Sequence, residues 1–283
     1  MAGITSYRDL ALAQENGQTV VGHFRKVPSN ATTAGWYFDL SMASGNPQPN
    51  YYASTPLESN ALNGMAGLWR GSDVAPSEKI LTEMMLCTSG TGFVGAFSLL
   101  DYLLFYPFID MDDTNQQTMV EVDSLARYSD GEGVQVMAVA LTPTVGLGTF
   151  TFEYVNQDGV SRTSPVQTCS TVAANIGSIV TSAPGTVAGL GPFLTLREGD
   201  TGVRRIVSFT EIVPNGGLCA LVLVKPLATH AIREINTPTE RSFVGPHTAG
   251  VRIYDGAYLN FIVQTATSVA GQTLTGRLNF AWN

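Results

Sequence analysis

The stretch "FSLLDYLLFYPFIDMDDT", Phe97 to Thr114, sets a long apolar run directly against the carboxylates of Asp110, Asp112 and Asp113. It can be a membrane span, a metal loop beside an apolar pocket, or the interior of a globular domain meeting water. The apolar run from Phe93 to Ile109 sits at the short end of what crosses a bilayer. Asp101 lies at its centre and Pro107 near its end, and a lone acid is costly in lipid. A buried helix ended by proline is therefore the reading taken. The acidic tail opens like a calcium loop, with carboxylates at alternating positions. Counted from Asp110, the twelfth position is Glu121, as such a loop wants, but the sixth is Asn115 where a glycine is required. The tail is read as a polar loop, with Asp113 or Thr114 capping a helix that starts near Asn115.

Working outward, "PSEKILTEMMLCTS" repeats apolar residues at a three-four spacing (Ile80, Leu81, Met84, Met85) after a Pro76-Ser77 start signal. "NQQTMVEVDSLARY" places Met119, Val122 and Leu125 on one helical face. Both predict helices. Near the N-terminus, Ser6 is placed to cap a short helix through Leu10 and Leu12 to Gln14, with Gly17 ending it. "QTVVGHFRKV" follows as a strand by its β-branched content. From about residue 131 the texture becomes strands and turns. "GVQVMAVAL", a hairpin around Asp158-Gly159, "RIVSFTEIV", "LCALVLVKPL", "RIYDGAYLNFIV" and "TLTGRLNFAWN" alternate with glycine- and proline-rich turns such as "APGTVAGLG". The expected fold is mainly β, an antiparallel β-sandwich of jelly-roll type, with a smaller α-containing N-terminal region. The change of texture divides the chain into 1–130, mixed α/β, and 131–283, the sandwich.

Composition restricts the function. Hydrophobic residues make up 44% and charged residues 13% of the 283, about half the charged share usual in soluble domains. Lysine occurs only as Lys26, Lys79 and Lys225. A surface so poor in charge suits a component whose face is covered by partners. The net charge of −8 and scattered arginines argue against direct nucleic-acid binding and against docking to an anionic membrane. Cys87, Cys169 and Cys219 stand far apart, with no metal spacing, and read as free thiols of a protein made in a reducing cytoplasm. "MAGITSYRDLALAQENG" lacks the basic and apolar regions of a secretory signal, so export by that route is not expected.

No catalytic pattern emerges, and no cofactor or metal is expected. His23, His230 and His247 are isolated, no GxSxG elbow occurs, and "GTG" (90–92) and "GLG" (189–191) lack the strand–glycine–helix context of a phosphate loop. "SDGEG" (129–133) reads as a turn before a strand.

"PFLTLREGDTGVRRIVSFTEI", "ALVLVKPLA", "RIYDGAYLNFIV", "LTGRLNFAWN", "WYFDLSMASGNPQPNYYAS" and "LLDYLLFYPFIDMDD" together resemble a group of tailed-bacteriophage virion structural proteins. The resemblance covers most of the chain and contains no enzymatic residues to carry over. It implies a non-enzymatic structural protein of the capsid or its decoration, of the decoration, cement or minor head group, found in the virion and made in the host cytoplasm; a decoration or cement protein is the leading expectation. Its partners would be the major capsid protein or other virion proteins, and it would act as a homo-oligomer, a trimer being the first expectation. A tail or head–tail component is the neighbouring alternative. A carbohydrate-binding adhesin is the alternative from another class, by fold analogy alone. Contacts are expected from two aromatic groups, since aromatic residues anchor interfaces. One is the loop with Pro47, Pro49, Tyr51 and Tyr52; the other is the cluster of Tyr254, Tyr258 and Phe261.

Overall fold

The computed structural model describes residues 4, 6–32, 34–90, 93–170, 173–181, 191–245 and 248–283. His247, Thr91-Gly92 and nearly all of "APGTVAGLG" lie outside the described residues. The chain opens with helix α1 (Tyr7–Glu15) and strands β1 (Thr19–Val27), β2 (Tyr37–Asp39), β3 (Ser44–Asn46), β4 (Asn60–Ala61), β5 (Lys79–Ser89), β6 (Gly95–Asp110) and β7 (Gln117–Thr118). It continues through β8 (Gln135–Ala140), β9 (Thr149–Asn156), β10 (Ser161–Thr163), β11 (Gln167–Thr168), β12 (Val203–Val213) and β13 (Leu218–Ile232). It ends with β14 (Thr239–Ser242), β15 (Val244–Gly245), β16 (Thr248–Ala249), β17 (Val251–Ile253), β18 (Tyr258–Thr265) and β19 (Thr273–Trp282). The protein is mainly β, and every pairing between these strands is antiparallel.

The opening stretch is strand, not helix. β6 is 16 residues long and pairs with β13 on one side and β18 on the other, so it lies inside a sheet of order β2-β18-β6-β13-β8. Leu99, Leu100, Tyr102, Leu104 and Tyr106 are all fully buried, because this sheet is covered on both faces. One face meets two further sheets. Phe97 and Leu99 pack with Phe24, Met84, Leu278 and Phe280 of the sheet β14-β5-β19-β1-β3. Leu104, Tyr106 and Ile109 pack with Phe152, Tyr154, Ile206 and Phe209 of the sheet β10-β9-β12-β7. The opposite face carries Leu100, Tyr102, Val222 and Ile262 under Met42, Tyr52 and Leu62. A strand buried on both faces has no polar–apolar alternation, so it reads as an unbroken apolar run. Pro107 sits where β6 carries an extra residue against β13, in the register shift between Cys219 and Leu221. A missing N–H is tolerated at such a bulge, and Phe108 next to it has a positive φ of 56°.

The other two expected helices of 60–130 are also absent. "KILTEMMLCTS" forms β5, with Met84, Leu86 and Thr88 inward and Glu83, Met85 and Cys87 between them less buried. A four-residue spacing such as Ile80–Met84 satisfies a strand period of two as well as a helix. The 115–128 segment is extended: Met119 donates to the Val207 carbonyl, and Val120 and Ser59 bond back to 57–59 and 120. No helix follows the acidic tail. Asp110 and Asp113 each accept the backbone N–H two residues on, at 2.9 Å, forming local turns. Among the described residues, no group of three or more His, Cys, Asp or Glu is arranged to hold a metal ion.

Local signals elsewhere agree with the structure. The Ser6 hydroxyl caps α1 by accepting from Asp9 N, and the chain turns at Gly17 with φ +68°. β9 and β10 form the hairpin, with Gly159 at φ +77°. The seam near residue 130 does not divide the sheets. β1 and β5 pair with β19, and β6 pairs with β13 and β18, so strands from both sides alternate.

Candidate functional site

Two loops and one strand meet on the outer side of the β2-β18-β6-β13-β8 sheet. The first loop leaves β3 as Asn46-Pro47-Gln48-Pro49-Asn50; the second runs from Ala61 through Gly67 to Trp69; Tyr258 begins β18 between them. Together they line an open groove of about 580 Å³. Among the described residues its lining contains four side-chain amides (Asn46, Gln48, Asn50, Asn63) and no charged residue. Trp69 stands at the rim, 49% exposed. A Cβ on Gly67 would meet the Leu259 backbone at 2.8 Å, so only glycine lets this loop lie on β18, where Leu68 donates to the Leu259 carbonyl. Gly22 does the same for the tryptophan, because a Cβ there would overlap the Trp69 carbonyl.

The groove rests on a sealed polar cluster. Asp39, fully buried, accepts the Tyr102 hydroxyl at 2.7 Å, the Ser41 hydroxyl at 2.7 Å and Ser41 N at 2.9 Å, and also the Tyr52 hydroxyl. Burial pushes its carboxyl up, against these hydrogen bonds, and burial drives the Tyr52 and Tyr102 phenols well above their ordinary range. Lys26, also buried, donates to the carbonyls of Ala43 and Pro47 at 2.9 and 3.0 Å. Burial lowers its amine to about 8, with Asp39 pulling the other way. Further bonds run from Asn50 N to the Ser41 carbonyl and from Tyr52 N to the Asn50 carboxamide oxygen. The first loop is thus held from beneath along its length. The Tyr258 hydroxyl faces the amides of Asn50 and Asn260, and burial raises it to about 12 against their pull.

The second loop is held by a buried ion pair. Arg127 clamps Asp101 with two bonds of 3.0 and 2.9 Å and donates to the carbonyls of Leu62 and Tyr102. Asp101 in turn accepts Tyr258 N at 3.0 Å. The acid at the centre of the apolar run therefore joins β6, β18 and the groove wall, satisfied by a residue distant in sequence.

Of the two groups expected as contact surfaces, three members reach the groove and the others lie elsewhere. Pro47, Pro49 and Tyr258 line the groove. Tyr52, Tyr258 and Phe261 are 0–1% exposed and belong to the core; Phe261 packs on Phe24 with ring centroids 5.3 Å apart. Their hydrophobic bulk is used inside the single chain. Tyr51 is exposed, and Tyr254 is half-buried between Tyr128 and the Arg252 guanidinium. Sequence reasoning missed Trp69 and the amides. The one available signal is "GLWRGS", a tryptophan set between glycines where no strand pattern claims it.

A second exposed feature lies elsewhere. Val145, Leu147, Val166, Ile212 and Val213 are 47–73% exposed. Pairing of Val213 with Thr149, of Gln167 with Phe150 and of Val145 N with the Asn215 carbonyl brings their segments to the same end of the β10-β9-β12-β7 sheet. Comparison of the chain with family models, with curated proteins and with solved structures finds no match.

Proposed function

We propose that this chain is a non-enzymatic structural protein of a tailed-bacteriophage virion, a decoration protein that binds the assembled head shell as a homo-oligomer and stabilises it. The jelly-roll-type sandwich belongs to the same reading. The observation that carries it is the apolar end of the β10-β9-β12-β7 sheet. Five large aliphatic side chains left in water on a charge-poor chain are a surface that gains by being covered. A ligand that binds only the assembled shell shifts the equilibrium away from disassembly. The resemblance of its sequence to virion proteins supplies the partner class.

The test is direct. Purified protein should run as a defined oligomer, a trimer first, by size-exclusion chromatography with light scattering. Added to undecorated capsids, it should raise the temperature at which they release their contents. Val145→Asp with Leu147→Asp should abolish that gain while leaving the protein's own melting unchanged, since both side chains are exposed. A monomer that leaves capsid survival unaltered overturns the proposal.

A further inference from the structure

The groove between residues 46–50 and 61–69 has its own chemistry, independent of the apolar sheet end. Its volume of about 580 Å³ lies within the range of small-molecule sites. Its described walls carry no charged side chain, so an ionic ligand finds no counter-charge there. What they offer is the exposed carboxamides of Asn46, Gln48 and Asn63, each a donor and an acceptor in one plane, and a half-exposed tryptophan. Hydroxyl groups are likewise donor and acceptor at once, and a neutral ligand dense in them uses such amides fully. A sugar ring adds an apolar C–H face that stacks on an indole, a contact favourable in water because both surfaces are weakly hydrated.

The site is also preformed. Lys26 ties down the first loop, the Asp39 cluster supports it, and the Arg127–Asp101 pair fixes the second wall. A rigid cleft avoids the ordering cost that flexible loops pay on binding. We infer that this groove is a binding site for a short neutral saccharide, with Trp69 as stacking platform and the exposed amides of Asn46, Gln48 and Asn63 as hydroxyl partners. A proline-rich peptide fits less well: such grooves are lined by several aromatic faces, and among the described lining residues Trp69 is the one exposed ring.

The experiment uses the full chain on an array of neutral, sialylated and sulfated oligosaccharides, followed by calorimetric titration of the best neutral binder and of a proline-rich peptide. Neutral saccharides should bind, the anionic members no better than their neutral cores, and the peptide not at all. Trp69→Ala should weaken binding by at least about tenfold, and Trp69→Phe should retain part of it. Should Trp69→Ala misfold, the exposed pair Gln48→Ala with Asn63→Ala gives the same reading. Absence of neutral-saccharide binding, preference for an anionic glycan or the peptide, or affinity untouched by both sets of substitutions overturns the inference. None of these outcomes bears on shell stabilisation, which is measured on capsids without saccharide.

Discussion

Glu211 stands in β12 with 1% exposure, and neither of its carboxyl oxygens has a hydrogen-bond partner among the described residues. Burial, with the Asp112 carboxylate adding to it, lifts its pKa from 4.5 to about 8. Cys169 and Cys219 lie beside it, their thiols also pushed up by burial. A neutral acid is tolerable in such a place; a charged one is not. Since the folded pKa is raised, the native state holds the proton that the unfolded chain releases. Stability is full below about pH 4.5 and falls as pH rises toward 8. Asp39 and Asp101 are shifted the same way, whereas Lys26 and Lys79, lowered to about 8, act with opposite sign above that pH. The Glu211→Gln variant isolates the effect. Chemical denaturation should show it close to wild type near pH 5 and more stable at pH 8, by roughly 3–5 kcal/mol. Equal stability differences at both pH values would refute the assignment. Nothing in "RIVSFTEIV" distinguishes Glu211 from an exposed strand acid, because its burial comes from neighbours elsewhere in the chain.

At the scale of elements, β6 organises the molecule. Its first half packs under the β5–β19–β1 region and its second half under β9 and β12, so one strand serves two cores on one face and a third on the other. Leu99→Ala should destabilise the fold by about 2–5 kcal/mol, measured by urea unfolding, because the fully buried site cannot collapse around the loss. Its amides should be among the slowest to exchange. α1, β1 and the β9–β10 hairpin were legible in advance because caps, β-branched runs and Asp-Gly turns act through adjacent residues. β5 and β6 were not. Their patterns, Ile80–Met84 and the unbroken run after Phe97, fit a helix as well as a strand until one knows what covers each face. The groove was half legible: its prolines and Tyr258 stood out, while Trp69 and the amides gain meaning only from the approach of two loops.

At the scale of the whole molecule, the sheets interleave strands from both sides of residue 130. A fragment of residues 131–283 would expose β13 and β18 without β6 between them, and β19 without β1 and β5. It should not fold alone: circular dichroism and proteolysis should show an unfolded or aggregated chain, whereas the full protein melts in one cooperative transition. A folded fragment with its own transition would contradict this. By itself, the sequence determined a mainly β chain, poor in charge, with its turns and first helix placed, because composition and local sterics are properties of adjacent residues. Only the tertiary structure decided that the stretch from Phe97 is a central strand, that Asp101 meets Arg127, and that two loops enclose an uncharged groove. Those outcomes depend on which distant segments cover each face, and hydrophobic burial selects them only once the whole chain has packed.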